Sequence, residues 1–127
     1  MNAKLQFSIK ITPSKLPENA RKLIEFYFRN AKIIYIDKIN DEYEVKLSNG
    51  TYIDFDRNGN WNYISSDEYI SDNILPKPIS NSLRNIIKRY GDVHIYEINK
   101  TTNFYRIKLS NYLDLRINYK GDFVSLK

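Results

Sequence analysis

The stretch YEVKLSNGTYIDFDRNGNW, residues 43–61, can be read two ways, and the choice decides the fold. Its later part, DFDRNGN (Asp54–Asn60), spells the opening half of a calcium loop: acidic or amide oxygens at alternate positions, then glycine. Its earlier part alternates Tyr43, Val45 and Leu47 with Glu44 and Lys46, which is the period of a half-buried strand. Register separates the two readings. A two-residue Asn49-Gly50 turn sets Val45 opposite Asp54 and drives a carboxylate into the core. A three-residue loop, Ser48-Asn49-Gly50, pairs Val45 with Ile53 and Tyr43 with Phe55, and gives glycine the left-handed bulge position. The same rule makes Arg57-Asn58-Gly59 a hairpin loop that sets Phe55 opposite Trp61 and Ile53 opposite Tyr63, all on the core side. A calcium loop starting at Asp54 needs a bidentate Glu at its twelfth position, and Ser65 stands there. The hairpin reading prevails, and no metal site is expected.

Working outward, the stretch recurs. YEVKLSN (Tyr43–Asn49) is echoed by YRIKLSN (Tyr105–Asn111), LPENARKLIEFYF (Leu16–Phe28) by LPKPISNSLRNIIKRY (Leu75–Tyr90), and IDFDRNGNW by LDLRINYKGDF (Leu113–Phe123). One supersecondary unit is used twice. Each copy opens with a helix whose proline, Pro17 or Pro78, suits the first turn. Ala20, Leu23, Ile24, Tyr27 and Phe28 share one helical face, as do Ile79, Leu83, Ile86, Ile87 and Tyr90, and both stripes are expected to face a core. Four strands follow in each copy: about 32–39, 42–47, 51–56 and 61–64, then 93–98, 104–109, 113–117 and 123–126. In the second copy a Ser110-Asn111-Tyr112 loop pairs Leu109 with Leu113 and Ile107 with Leu115. The polar run Ser65–Asn73 reads as the connection. Residues 1–127 are thus expected to form a single domain of two repeats, about 16–65 and 75–127.

Composition narrows the function classes. The 127 residues are 42% hydrophobic and 28% charged, which suits a folded domain. No apolar run approaches the ~20 residues that cross a bilayer, so no membrane insertion is expected. No leader of basic then apolar residues is visible at Met1. Cysteine is absent and His94 is the single histidine, so no Cys–His pair or multi-histidine metal site can be assembled. His94 lies in DVHIYEI and reads as an ordinary strand histidine; the chain is not expected to be an enzyme. Glu44 and Asp54 are expected as cross-strand neighbours, whose like charges can raise a pKa, with Lys46 diagonal to them relieving the repulsion.

The helix opening LP, then Ala31-Lys32-Ile33, Tyr43 to Gly50 and Phe55 to Trp61, resembles the PepSY-like family of β-lactamase-inhibitor-like proteins from about Leu16 onward. The second copy departs from that pattern: it lacks the Asn-Gly and has Phe123 where tryptophan stands in the first. The resemblance implies an α+β fold: two tandem helix-plus-four-strand repeats forming one antiparallel sheet of about eight strands, with both helices on one face and the other face open. It also implies a periplasmic or secreted protein with no activity and no cofactor, acting as a protein-binding module. The inhibitor label is a fold analogy that names no target.

On the open face, Tyr52, Asp54, Tyr96, Phe104, Arg106 and Arg116 are the candidate partner-binding residues, joined by Lys108 and Asp114. Aromatic and arginine side chains among charges are the composition of an interface anchor set. The bland alternative is a solvated sheet face. A nucleic-acid-binding sheet is the reading from another class, since tyrosine and phenylalanine beside Arg and Lys can stack bases, and the net charge is +5. Glu42, Glu44, Asp54, Asp56 and Asp114 on the same face would repel phosphate, so no nucleic acid is expected. A small-ligand or cell-wall-fragment binder is a third reading, with no motif of its own. The partner is an unknown protein, and a monomer is expected.

Overall fold

The computed structural model describes residues 8–126. In chain order it contains β1 (Ser8–Lys10), a 3-10 turn (Pro13–Lys15), α1 (Glu18–Tyr27), β2 (Ile33–Ile39), β3 (Glu42–Leu47), β4 (Tyr52–Phe55) and β5 (Trp61–Ile70). A second 3-10 turn (Asp72–Ile74), α2 (Lys77–Tyr90), β6 (Ile95–Lys100), β7 (Phe104–Leu109), β8 (Asp114–Asn118) and β9 (Phe123–Leu126) complete it. The strands follow chain order in a nine-stranded sheet. Two compact units divide after Asn62.

In the first unit, β1, β2, β3 and β4 pair antiparallel. Val45 faces Ile53 and Tyr43 faces Phe55, the register required by the three-residue loop. The Leu47 amide donates to the Thr51 carbonyl at 2.8 Å, and Gly50 takes φ 80°. The buried face carries Ile36, Tyr43, Val45, Leu47, Ile53 and Phe55, and α1 adds Ala20 and Ile24 to the same core. The Asp54–Asn60 stretch is a hairpin: the Asp56 amide donates to the Asn60 carbonyl at 2.8 Å. Asp56 Oδ1 accepts from the amides of Asn58 and Asn60, at 2.9 and 3.0 Å. Asp56, the third position of the calcium spelling, instead braces a turn.

The second unit repeats each device. The Leu109 amide donates to the Leu113 carbonyl, Ile107 faces Leu115, and Tyr112 takes the left-handed position of Gly50 with φ 69°. Asn118 Oδ1 accepts from Lys120 and Asp122 as Asp56 does in the first hairpin. The shared serine has a role as well. Ser48 Oγ accepts from the Lys32 amide, and Ser110 Oγ from the His94 amide, tying each loop to the start of β2 or β6. The helix starts rest on the second loops. A Cβ on Gly59 would lie 2.7 Å from Pro17 Cβ, and one on Gly121 2.7 Å from the Pro78 carbonyl oxygen. Asn19 Nδ2 donates to the Asn58 carbonyl, and Ser82 Oγ to the Gly121 carbonyl. The core of this unit is Ile79, Leu83 and Ile86 from α2 with Ile98, Tyr105, Ile107, Leu109, Leu115 and Ile117.

Four expectations are corrected. The sheet has nine described strands rather than four per repeat, because Ser8–Lys10, ahead of the first repeat's helix, pairs with β2 as an added edge. The run read as a connection from Ser65 is strand as far as Ile70. Ile70 is buried and faces Ile95, while Ser65 faces Glu97, so Ser66–Tyr69 bulge out of the ladder. Trp61 is half-buried rather than core, and Tyr63 leaves the core side, because facing Ile64 with Ile98 turns the neighbouring Tyr63 the other way. Tyr90, expected in the α2 stripe, is 46% exposed at the last helical position.

Candidate binding face

Strand pleating puts alternate side chains on the face turned from each unit's core. In the first unit this face is ordered into rows by register. Asp37 lies opposite Glu44 and Glu44 opposite Asp54, a line of three carboxylates across β2, β3 and β4. Lys10 closes its β1 end, with Nζ 3.8 Å from Asp37 Oδ1. The next row is Tyr35, Lys46 and Tyr52. Lys46 Nζ lies 5.4 Å from the Tyr52 ring centre, and Lys10 Nζ 4.6 Å from that of Tyr35. The Tyr35 hydroxyl donates to Glu44 Oε1 at 3.2 Å.

This crowding shows in the titration behaviour. Burial, then the charges of Glu44 and Glu42, push Asp54 up to about 6. Burial, then the charge of Glu44 and the hydrogen bond to it, push the Tyr35 phenol up to about 12. The expected Glu44–Asp54 pair is therefore present. Lys46 lies against Tyr52 and does not hold Asp54 at an ordinary carboxylate value.

The second unit's face is paired within itself. Arg106 forms a fork on Asp114, with Nε 2.9 Å from Oδ1 and Nη2 2.5 Å from Oδ2. That bond, ahead of any other cause, lowers Asp114 and raises Arg106. Lys108 Nζ lies 3.2 Å from Glu97 Oε2, and the Tyr63 hydroxyl donates to Glu97 Oε1 at 2.8 Å. Arg116 stacks over Phe104 at 5.6 Å from the ring centre, and its Nη1 donates to Ser125 Oγ at 3.2 Å.

Of the candidate residues, Tyr52 and Asp54 thus lie together in the first unit, and Phe104, Arg106 and Arg116 in the second, all half-buried. Tyr96 does not follow the simple alternation. Pairing passes from Ile95–Leu109 to Glu97–Lys108, which leaves Tyr96 as the extra residue of a bulge. Asp37, Tyr35, Tyr63 and Glu97 belong to these faces and were not anticipated. The β2 sequence IIYIDKI lacks the alternation that would have shown which way Tyr35 and Asp37 point. No group of three or more His, Cys, Asp or Glu among the described residues could hold a metal ion, and no helix there is long and apolar enough to cross a membrane.

The family model described as "Putative beta-lactamase-inhibitor-like, PepSY-like" matches residues 5–51 and 41–125. No curated protein matches the chain. Among solved structures, a "putative calcium-regulated periplasmic protein" from Bacteroides thetaiotaomicron superposes with a TM-score of 0.85 at 23% identity, over 94% of this chain and 96% of that one. A "putative periplasmic protein" from Bacteroides vulgatus gives 0.84 at 21% identity, over 94% and 96%. A "putative periplasmic protein of unknown function" from the same organism gives 0.80 at 24% identity, over 96% and 98%. At these identities the likeness is one of fold.

Proposed function

Because this chain belongs to the PepSY-like family, we propose that it is a non-catalytic periplasmic module that binds a protein partner on the helix-free face of its sheet. The observation that carries this reading is the ordered face of the second unit. Phe104 is held by Arg116, Arg106 by Asp114 and Lys108 by Glu97, so aromatic and cationic groups are fixed before any partner arrives. Fixing them in advance lowers the entropy lost on association. The first unit adds Tyr52 and Tyr35 beside a carboxylate row, which suits a protein surface and repels a phosphate backbone. The periplasmic descriptions of the structures with the same fold support the compartment.

The test is a pull-down from a periplasmic extract, with the native chain beside a Tyr52→Ala, Phe104→Ala, Arg106→Ala triple variant. The partner should be retained by the native chain and lost by a variant that melts cooperatively. Single truncations should weaken binding by about 1 kcal/mol or more each. A folded triple variant that recovers the same proteins overturns the reading.

A further inference from the structure

The second unit carries a cleft of about 540 Å³ between the β5 bulge, α2 and the segment leading into β6. That volume is within the ~300–1,000 Å³ of ordinary small-molecule sites. Ile70, Ile87 and Ile95 supply its aliphatic wall, and Ile70 and Ile95 are fixed by facing each other across the ladder. At the mouth are Tyr69 and His94, whose ring centres are 5.8 Å apart at 59°. Neither ring is there by chance of the strand period. The bulge ejects Tyr69, leaving it 71% exposed, and the hydrogen bonds between His94 and Ser110 hold the backbone under the imidazole.

The charges around the cleft are of two kinds. Asp72 is committed to Arg84, whose Nε and Nη2 lie 2.8 and 3.0 Å from its two oxygens. Asp92 makes no hydrogen bond or ion pair among the described residues. The site therefore offers one unneutralised carboxylate, two exposed ring systems and an apolar wall. An aromatic face and a free carboxylate together favour a cation, and the wall favours a hydrocarbon stem. Among the described residues no three His, Cys, Asp or Glu side chains are grouped to hold a metal ion, and the apolar wall suits an organic cation.

We propose that this cleft binds a small organic cation, an alkylammonium group with an apolar stem, with Asp92 opposite the charge, Tyr69 and His94 over it, and the isoleucines along the stem. The site is separate from the sheet face and independent of the protein-binding reading. The probe is n-hexylammonium, titrated at pH 8 into the isotopically labelled full chain and followed by amide chemical shifts, with n-hexanol and hexanoate as controls. Saturable shifts confined to residues 69–72, 87 and 92–95 are expected, with a dissociation constant on the order of 1 mM. Asp92→Asn and Tyr69→Ala, both at exposed positions, should each weaken binding at least five-fold. Asp41→Asn, which is not among the residues lining the cleft, should leave it unchanged. Hexanol or hexanoate binding as tightly as the ammonium, shifts scattered over the surface, or an unaffected Asp92→Asn variant would each overturn the proposal.

Discussion

Replacing Tyr112 by glycine should stabilise the protein. The two units close their central hairpins with the same loop, and in both the last loop residue donates its amide back across the turn: Gly50 to Leu47 at 3.2 Å, Tyr112 to Leu109 at 3.0 Å. Gly50 does so at φ 80° without strain, whereas Tyr112 holds φ 69° with a Cβ. An L-residue in this region is disfavoured by ~1–2 kcal/mol. Glycine's greater freedom in the unfolded chain offsets ~0.5–1 kcal/mol of that gain. The ring contributes little, since Tyr112 is 89% exposed. The net gain is about 0.5–1 kcal/mol, which for a chain of this size raises Tm by roughly 2–4 °C. Urea denaturation at constant m-value measures it. Tyr112→Ala serves as the control: it removes the ring, keeps the strained φ and should be near neutral. If Tyr112→Gly is no more stable than the native chain, or Tyr112→Ala accounts for the whole gain, the strain argument is wrong.

Asp54 is raised to about 6 in the folded state, so the folded chain holds a proton that the unfolded chain has already lost. Stability should therefore fall as pH rises from ~4 to ~6, by about 1–2 kcal/mol after allowance for solvent screening; Asp54→Asn should flatten that part of the pH–stability curve, and an unchanged slope would show that the carboxylate row is not felt. Asp56→Ala removes the acceptor of two amide hydrogen bonds and should cost ~1–2 kcal/mol equally with calcium or with chelator; micromolar calcium binding by calorimetry that vanishes in this variant would restore the metal reading. Gly121→Ala sets a Cβ 2.7 Å from the Pro78 carbonyl oxygen at φ 92° and should lose 2 kcal/mol or more in chemical denaturation, whereas a variant of native stability would mean that the helix start does not rest on this loop.

The hairpins were legible because parity permits few solutions. Only a three-residue loop keeps Asp54 out of a core that Val45 and Ile53 must share, and the structure has that loop in both copies. Bulges defeated the same logic elsewhere. Four consecutive residues, Ser66–Tyr69, leave the β5 ladder, so the strand resumes at Ile70 behind a polar run that reads as a linker. The bulge at Tyr96 breaks the alternation that assigned its direction. Side-chain pairing across strands is legible only where a loop fixes the register: Glu44–Asp54 follows from the Ser48-Asn49-Gly50 loop, whereas Asp37 opposite Glu44 does not follow from IIYIDKI, which shows no alternation. The cleft at Tyr69 and His94 joins residues 25 positions apart through one of these bulges, and no local pattern announces it.

The order of the strands also bears on how the chain reaches this structure. Within each unit the hairpins β2–β3, β3–β4, β6–β7, β7–β8 and β8–β9 each close a loop of a few residues, whereas β1–β2 and β5–β6 close around a helix. Contacts of low sequence separation form early and at small entropic loss. A chain leaving the ribosome can therefore form these hairpins one at a time, without waiting for a distant segment. The seat of each helix start on the second loop spans further still, where Asn19 meets Asn58 and Ser82 meets Gly121, each pair 39 residues apart. Those two contacts carry the larger loop-closure cost, so helix docking is expected to follow the hairpins in the assembly of either half.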